Sequence, residues 1–268
     1  MRTIAHISDL HFGTEEPRIA DGLLTDLVEL SPDVIANSGD LTQRARNKQF
    51  AAARAFLDRL PKPQITVPGN HDIPLYDVVR RIFRPLGRYR HYISSDLQPS
   101  FADNEIAIAG VNTARSTTWK NGVIAETQVA QLRDQFATLP TGTMKILLAH
   151  HPFLPTTTKP GTAIVRGGIA ALDALESVGC RLVLSGHLHH THTWDAKTYD
   201  ARRHYAILAI QAGTAISRRR RGEPNAYNVV RIDGDILRLE VRAWNGQRFA
   251  ATTLTQYRIR DDAWAKEG

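Results

Sequence analysis

Apolar positions along this chain switch between two periods, and the switches mark its elements. Thr3 to Ser8 is a short apolar run of the kind that forms a buried strand, and Leu23, Leu24, Leu27, Val28 and Leu30 then recur at helical spacing. A second apolar run within Asp33 to Asn37, a helical stretch at Phe50 to Leu60 and a short strand at Ile65 to Val67 repeat the alternation. Strand, helix, strand, helix, strand predicts parallel pairing through right-handed crossovers.

Residues 74 to 104 are less regular; the pattern predicts a helix near Tyr76 to Phe83 with extended segments after it. Ile106 to Val111 reads as a strand, and Thr127 to Leu139 as a helix carrying Val129, Leu132, Phe136 and Leu139 on one face. Lys145 to Ala149 is a strand, Ile169 to Val178 a helix and Leu182 to Ser185 a strand. From about residue 204 the helical period is gone. Tyr205 to Gln211, Tyr227 to Ile232 and Ile236 to Ala243 read as antiparallel strands, with a turn at Asp233-Gly234. No internal repeat or low-complexity linker interrupts the chain. The expectation is an α/β fold, a two-sheet β-sandwich flanked by helices, in a single domain over residues 1–255 with a C-terminal tail at 256–268.

Composition narrows the class. A chain of 268 residues, 42% apolar and 23% charged, is an ordinary globular protein long enough to bury a substantial core. No uninterrupted apolar run reaches bilayer length, so membrane insertion is not expected. The opening Met-Arg-Thr-Ile-Ala-His-Ile-Ser-Asp has no basic segment leading into a long apolar one, which makes the cytoplasm the expected location. A lone cysteine, Cys180, excludes an internal disulfide and begins the apolar run Cys-Arg-Leu-Val-Leu, the setting of a buried, inert thiol. The net charge of +7 suits a small phosphate substrate or a polyanion. Its densest cluster is Arg218 to Arg221, which either contacts substrate or is solvated. A basic run without aromatic or fold context is a weak nucleic-acid motif, so a small phosphate-bearing molecule is favoured as partner over nucleic acid. Nothing in the pattern sets an oligomeric state.

Candidate chemistry gathers at strand ends. Asp9-Leu10-His11 follows the first strand, Gly39-Asp40 the second and Gly69-Asn70-His71-Asp72 the third. His150-His151-Pro152 follows Ile146 to Ala149, and Gly186-His187-Leu188-His189 follows Leu182 to Ser185. Each motif alone also reads as a turn or a strand-end histidine. Their shared position beyond the carboxyl ends of strands, where ligands gather in α/β sheets, is the stronger signal. Carboxylate, carboxamide and imidazole donors without thiolate suit Mn²⁺, Fe or Zn²⁺ and argue against a structural Cys-zinc site. There are more donors than one ion needs, and a carboxylate can bridge two ions about 3.5–4 Å apart.

In their order and spread these five blocks resemble the calcineurin-like metallophosphoesterases, whose fold is a four-layer α/β/β/α sandwich. The resemblance implies that Asp9, His11 and His189 hold one ion, that Asp40 bridges, and that Asn70, His150 and His187 hold the other. It places His71 over the substrate as a catalytic residue, with Asp72 orienting it. The Ser8-Asp9-Leu10-His11 and Pro68-Gly69-Asn70-His71-Asp72-Ile73-Pro74 blocks look most like the bacterial class III branch, which acts on cyclic nucleotides and glycerophosphodiesters. Asp40-Leu41-Thr42 and Pro68-Gly69 depart from the protein Ser/Thr phosphatases, and the phosphate-clamping arginines expected at those places are missing. The implied reaction is phosphodiester hydrolysis by a metal-bound hydroxide, formed when two divalent ions (Mn²⁺, Fe²⁺ or Fe³⁺, or Zn²⁺) lower the pKa of water from roughly 15.7 to about 7. A nuclease, a phosphomonoesterase and, less so, a non-catalytic scaffold of the same fold stay open. Substrate selection is expected in the loop-rich stretches Pro74 to Ser95, Asn112 to Val123 and Phe153 to Gly168.

Overall fold

The apolar periods of the first third become β1 (Arg2–Ile7), α1 (Pro17–Leu30), β2 (Val34–Asn37), α2 (Asn47–Arg59) and β3 (Gln64–Thr66) in a computed structural model that describes residues 1–154, 164–195 and 206–267. α1 opens on Pro17, whose missing N–H lies where a helix has no acceptor to offer it, and stops at Ser31 in a left-handed conformation with its N–H on Leu27 O. The helix buries Ile19, Ala20, Leu23 and Leu27 along one stripe. β1 pairs parallel with β2, and β2 with β3, as the alternation requires.

The second sheet is built the same way from β4 (Ser100–Ala102), β5 (Ile106–Val111), β6 (Met144–Ala149), β7 (Cys180–Ser185), β8 (His192–Asp195) and β9 (Leu208–Gln211), in the order β4-β5-β6-β7-β9-β8. β5, β6, β7 and β9 are mutually parallel, and α5 (Glu126–Ala137) and α6 (Gly168–Glu176) supply crossovers on the outer face. The last strands, β10 (Ala226–Asp233), β11 (Ile236–Trp244), β12 (Phe249–Arg260) and β13 (Ala263–Glu267), return to the first sheet, whose order is β13-β12-β11-β10-β1-β2-β3.

Three apolar clusters give the layers. Ile4, Val34, Ala36, Ile65 and Val67 of one sheet face Ile108, Ile146, Leu148, Leu182, Leu184 and Ile210 of the other. Leu23, Leu27, Phe50 and Leu57 of α1 and α2 cover the outside of the first sheet with Ile7 and Ile35. Leu132, Phe136, Leu172 and Leu175 of α5 and α6 cover the second with Leu147 and Val183. The result is the α/β/β/α sandwich that was expected. Cys180 is buried at the start of β7, and burial pushes its thiol up to about 12, as an inert core thiol requires.

Three expectations change. The segment after α3 (Val78–Phe83) forms α4 (Gly87–Tyr92) and is not extended; Tyr89 anchors it by donating to Thr66 O at 2.7 Å from a fully buried site. β9, expected among antiparallel strands, runs parallel to β7 and antiparallel only to β8. Residues 256–267, expected as a tail, complete β12 and form β13, with Trp264 buried and donating to Arg181 O at 2.8 Å. Part of the 153–168 stretch, residues 155–163, lies outside the described residues.

Candidate metal centre

All five motifs lie at the carboxyl ends of parallel strands: those after β1, β2 and β3 on one sheet, and those after β6 and β7 on the other. The backbone turns sharply there so that the side chains can meet. Asp9, His11, Asp40, His187 and His189 all have positive φ, between 47° and 77°. They are five of the nine non-glycine residues with that conformation among the described residues. A left-handed backbone costs a side-chain-bearing residue roughly 1–2 kcal/mol, and such strain collects where a site dictates side-chain direction. The motif glycines have a steric cause. A Cβ on Gly69 would lie 2.1 Å from Asp40 Oδ1, and one on Gly186 would lie 1.9 Å from Ser8 Oγ and 2.8 Å from Asp9 Oδ2.

Seven side chains singled out in the sequence come together. Ligand atoms of Asp9, His11 and His189 lie within 4.8 Å of one another, as do those of Asp9, Asp40 and His150. Asp40 Oδ2 stands 3.7 Å from His11 Nε2 and 3.4 Å from His150 Nε2, between the two groups. Asn70 Oδ1 is 3.2 Å from His150 Nε2, and His187 Nδ1 is 3.3 Å from the same atom. The remaining ring nitrogens are tied down behind. His150 Nδ1 is 2.8 Å from Ser38 O, His189 Nδ1 is 2.6 Å from Thr214 Oγ1, and His11 Nδ1 is 3.4 Å from Thr42 O. A histidine held at one nitrogen and open at the other is the arrangement that metal ligation uses.

The donor set fits cations on its own terms. Asp9, His11, Asp40 and His150 are fully or almost fully buried, and a buried carboxylate is costly unless positive charge compensates it. Asp9 Oδ1 and His11 Nε2 are buried without a hydrogen-bond partner, so both lone pairs are available. Burial alone would raise the pKa of Asp9 and Asp40, yet the neighbouring imidazoles, His189 for Asp9 and His150 for Asp40, hold both carboxyls well below the usual range. Burial pushes His187 down to about 3 and His189 to about 4, leaving neutral rings with a free lone pair. His150 goes the other way: burial lowers it, but the Asp40 carboxylate lifts it to about 9. His151 sits with His150 and His187 in a third group; its Nδ1 is 2.8 Å from Thr113 Oγ1 and its Nε2 is buried without a partner.

His71 lies beside this cluster, its ring centroid 4.9 Å from that of His11. Its backbone N–H donates to Asp40 Oδ1 at 2.8 Å, and its Nδ1 is 2.9 Å from Gln43 O. Asp72, expected to orient the His71 ring, holds the loops instead. Its carboxylate accepts from Gly69 N, Leu41 N, Thr42 N and Thr42 Oγ1 at 2.9 to 3.2 Å, tying the turn after β3 to the turn after β2. Burial, with Asp40 nearby, lifts the Asp72 carboxyl to about 6. The ring of His71 is flanked by residues the motifs did not point to. Arg44 Nη1 and Arg219 Nη1 each stand 3.4 Å from its Nδ1, so arginines reach the cleft from the loop after β2 and from the 218–221 run. A cleft of about 290 Å³ opens over these groups, lined also by Arg81, Trp119, Lys120 and Arg221.

Comparison with known proteins agrees with this reading of the motifs. Residues 2–191 match the family described as Calcineurin-like phosphoesterase. A probable cyclic nucleotide phosphodiesterase of Synechococcus sp. is 25% identical over 201 residues, covering 70% of this chain and 73% of that protein. Another probable cyclic nucleotide phosphodiesterase, from Rhodococcus erythropolis, is 27% identical over 216 residues, 71% of this chain and 65% of its own length. A crystal structure of a dimetal phosphatase from Danio rerio superposes with a TM-score of 0.67 at 14% identity over 94% of this chain and 98% of that one, a likeness of fold. Motif order, sheet architecture and a match that runs from the first strand to Thr191 agree that this chain belongs to the calcineurin-like phosphoesterase family.

Proposed function

We propose that this protein is a phosphodiesterase that depends on two divalent metal ions and hydrolyses a small phosphodiester of the nucleotide or glycerophosphodiester kind. The observation that carries this reading is the meeting of Asp9, His11, Asp40, Asn70, His150, His187 and His189, with the unpartnered Asp9 Oδ1 and His11 Nε2 among them. Asp9, His11 and His189 form one ligand group, Asn70, His150 and His187 the other, and Asp40 lies between them as the bridge. The names of the two bacterial relatives support a diester substrate.

When bound, the cations supply a water acidified to act at neutral pH and neutralise the phosphoryl oxygens as charge develops. The protein supplies geometry and proton control. Ser38 O, Thr214 Oγ1 and Thr42 O fix the three imidazoles that point inward, so their lone pairs need not be reorganised on binding. Asp72 locks the Asp40 and Asn70 turns together through four hydrogen bonds and so sets the spacing of donors from different strands. With Nδ1 donating to Gln43 O, His71 can give a proton to the leaving ester oxygen from Nε2 only as the imidazolium, a form that burial disfavours and the Asp40 carboxylate favours. General-acid help of this kind is worth roughly 10²–10⁴-fold. Asn70 Nδ2 donates to Trp119 O at 3.4 Å, linking the donor cluster to the rim of the cleft.

The test is hydrolysis of bis-(p-nitrophenyl) phosphate and p-nitrophenyl phosphate with Mn²⁺ supplied and then chelated. Metal-dependent turnover with preference for the diester is expected. Preference for the monoester would replace the diesterase reading, and inertness toward both esters would remove the hydrolase reading.

A further inference from the structure

The cleft carries more positive charge than a simple phosphodiester neutralises. Two divalent cations are already balanced by the carboxylates of Asp9 and Asp40, a hydroxide and a singly charged diester, so every further cation in the cleft is surplus. Arg44, Lys120, Arg219 and Arg221 then line the same cleft. Among the described residues, no carboxylate forms an ion pair with any of these four.

The inner two are built into place. Arg44 Nη1 donates to Gln43 O at 2.9 Å, Arg219 Nη1 donates to Gln43 Oε1 at 3.5 Å, and both Nη1 atoms stand 3.4 Å from His71 Nδ1. Two like charges, both half-buried, are thus brought to one neutral residue, Gln43, and to one ring nitrogen of His71. Burial is the main force holding Arg219 below its ordinary value; the Asp40 and Asp9 carboxylates act against it and the Arg44 charge acts with it. A half-buried pair of like charges is costly unless an anion completes it. Arg81 has a different task, donating to Pro74 O at 3.1 Å and Thr118 O at 2.7 Å with its guanidinium 5.0 Å from the ring centre of Trp119. Trp119 is 65% exposed at the rim, a flat face on which a nucleobase can stack.

We propose that the substrate is a nucleotide phosphodiester bearing a second phosphate, which Arg44 and Arg219 clamp beside His71 while Lys120 and Arg221 attract it at the mouth. The proposal rests on the hydrolase reading above and narrows its substrate class. A second phosphate supplies the oxygens that the bidentate guanidinium donors lack, whereas a zwitterionic diester would bring a cation toward four others.

The test compares two esters with the same leaving group, thymidine 5′-(p-nitrophenyl phosphate) with and without a 3′-phosphate, on the Mn²⁺-loaded protein. The 3′-phosphate is expected to lower KM by roughly 10- to 100-fold, the value of one charge-assisted contact. That ratio should shrink in R219Q and approach one in the R44Q/R219Q double variant. Equal KM values for the two esters in the parent would overturn the proposal. So would variants that lose kcat/KM equally on both esters, because the arginines would then serve the scissile phosphoryl group. Binding is read separately by tryptophan fluorescence, with thymidine 3′,5′-bisphosphate against thymidine 5′-monophosphate. Tighter binding of the bisphosphate, lost in the double variant, is expected even if the hydrolase reading fails, and equal binding would overturn the clamp.

Discussion

On the floor of the cleft, donors from five strand ends meet, most of them buried, with the outward ring nitrogens of His11, His150 and His189 held by backbone or hydroxyl oxygens. The rim is assembled from other material. α3 leaves Val79, Ile82 and Phe83 exposed, and Tyr76 and Trp119 stand out beside them on irregular backbone. The floor concentrates charge, left-handed backbone and glycines that tolerate no Cβ, all of which restrict what can replace them. The rim carries long cationic and aromatic side chains whose exchange leaves the sheets intact. A fold of this kind keeps its chemistry on the floor and sets its substrate at the rim.

Removing the proposed bridge on the floor should have the largest effect. Asp40→Ala takes away a carboxylate shared by both ligand groups, and kcat/KM on bis-(p-nitrophenyl) phosphate should fall by about 10⁴-fold, with metal content falling alongside. His71→Ala separates chemistry from metal binding: kcat should drop by roughly 10²–10⁴-fold while metal content, read by elemental analysis, stays at the parent value. Thr214→Val removes the group behind His189 Nδ1, and metal affinity should weaken by about 10–100-fold in a calorimetric titration. If that variant binds metal as tightly as the parent, the supporting contacts of the floor matter less than its donors.

Away from the cleft the effects should appear in stability alone. Asp26 of α1 is buried and accepts two hydrogen bonds from Arg242, at 2.7 and 2.8 Å, and one from the Tyr227 hydroxyl. Asp26→Asn should cost about 2 kcal/mol by chemical denaturation, a buried-pair value reduced for the partial exposure of Arg242, with KM unchanged. The smallest change concerns Glu240. Burial alone would raise its pKa, but hydrogen bonds from Arg231 and Arg242 hold it below its ordinary value. Its contribution to stability is therefore complete above the unfolded carboxyl value of about 4.3 and is lost as pH falls through the lower folded value. Between pH 6 and pH 3 the parent should lose more melting temperature than Glu240→Gln, and equal losses would remove Glu240 from the account.

The floor was legible in the sequence because strand periodicity and donor chemistry coincide there. Apolar runs ending in Asp9, Asp40, Asn70, His150 and His187 place each donor at a strand end, and parallel pairing brings those ends together. The rim was not legible. Arg44 sits four residues past Asp40 in a loop without period, and only the contacts with Gln43 and His71 show that it meets Arg219, 175 positions further along the chain. The Asp72 role was misread for a related reason: its sequence neighbour is His71, but its hydrogen bonds go to the turn after β2. β13 was missed because Ala263–Glu267 is too short and too mixed in polarity to mark a strand, and its position comes from pairing with β12. Local patterns report elements, and contacts between distant loops are set by packing.

The account stands on metal occupancy. Crystals grown with Mn²⁺ and measured at its absorption edge should show two anomalous peaks about 3.5–4 Å apart, within coordination distance of Asp9, His11, Asp40, Asn70, His150, His187 and His189. A single peak elsewhere, or no peak between Asp9 and Asp40 at saturating Mn²⁺, would contradict it.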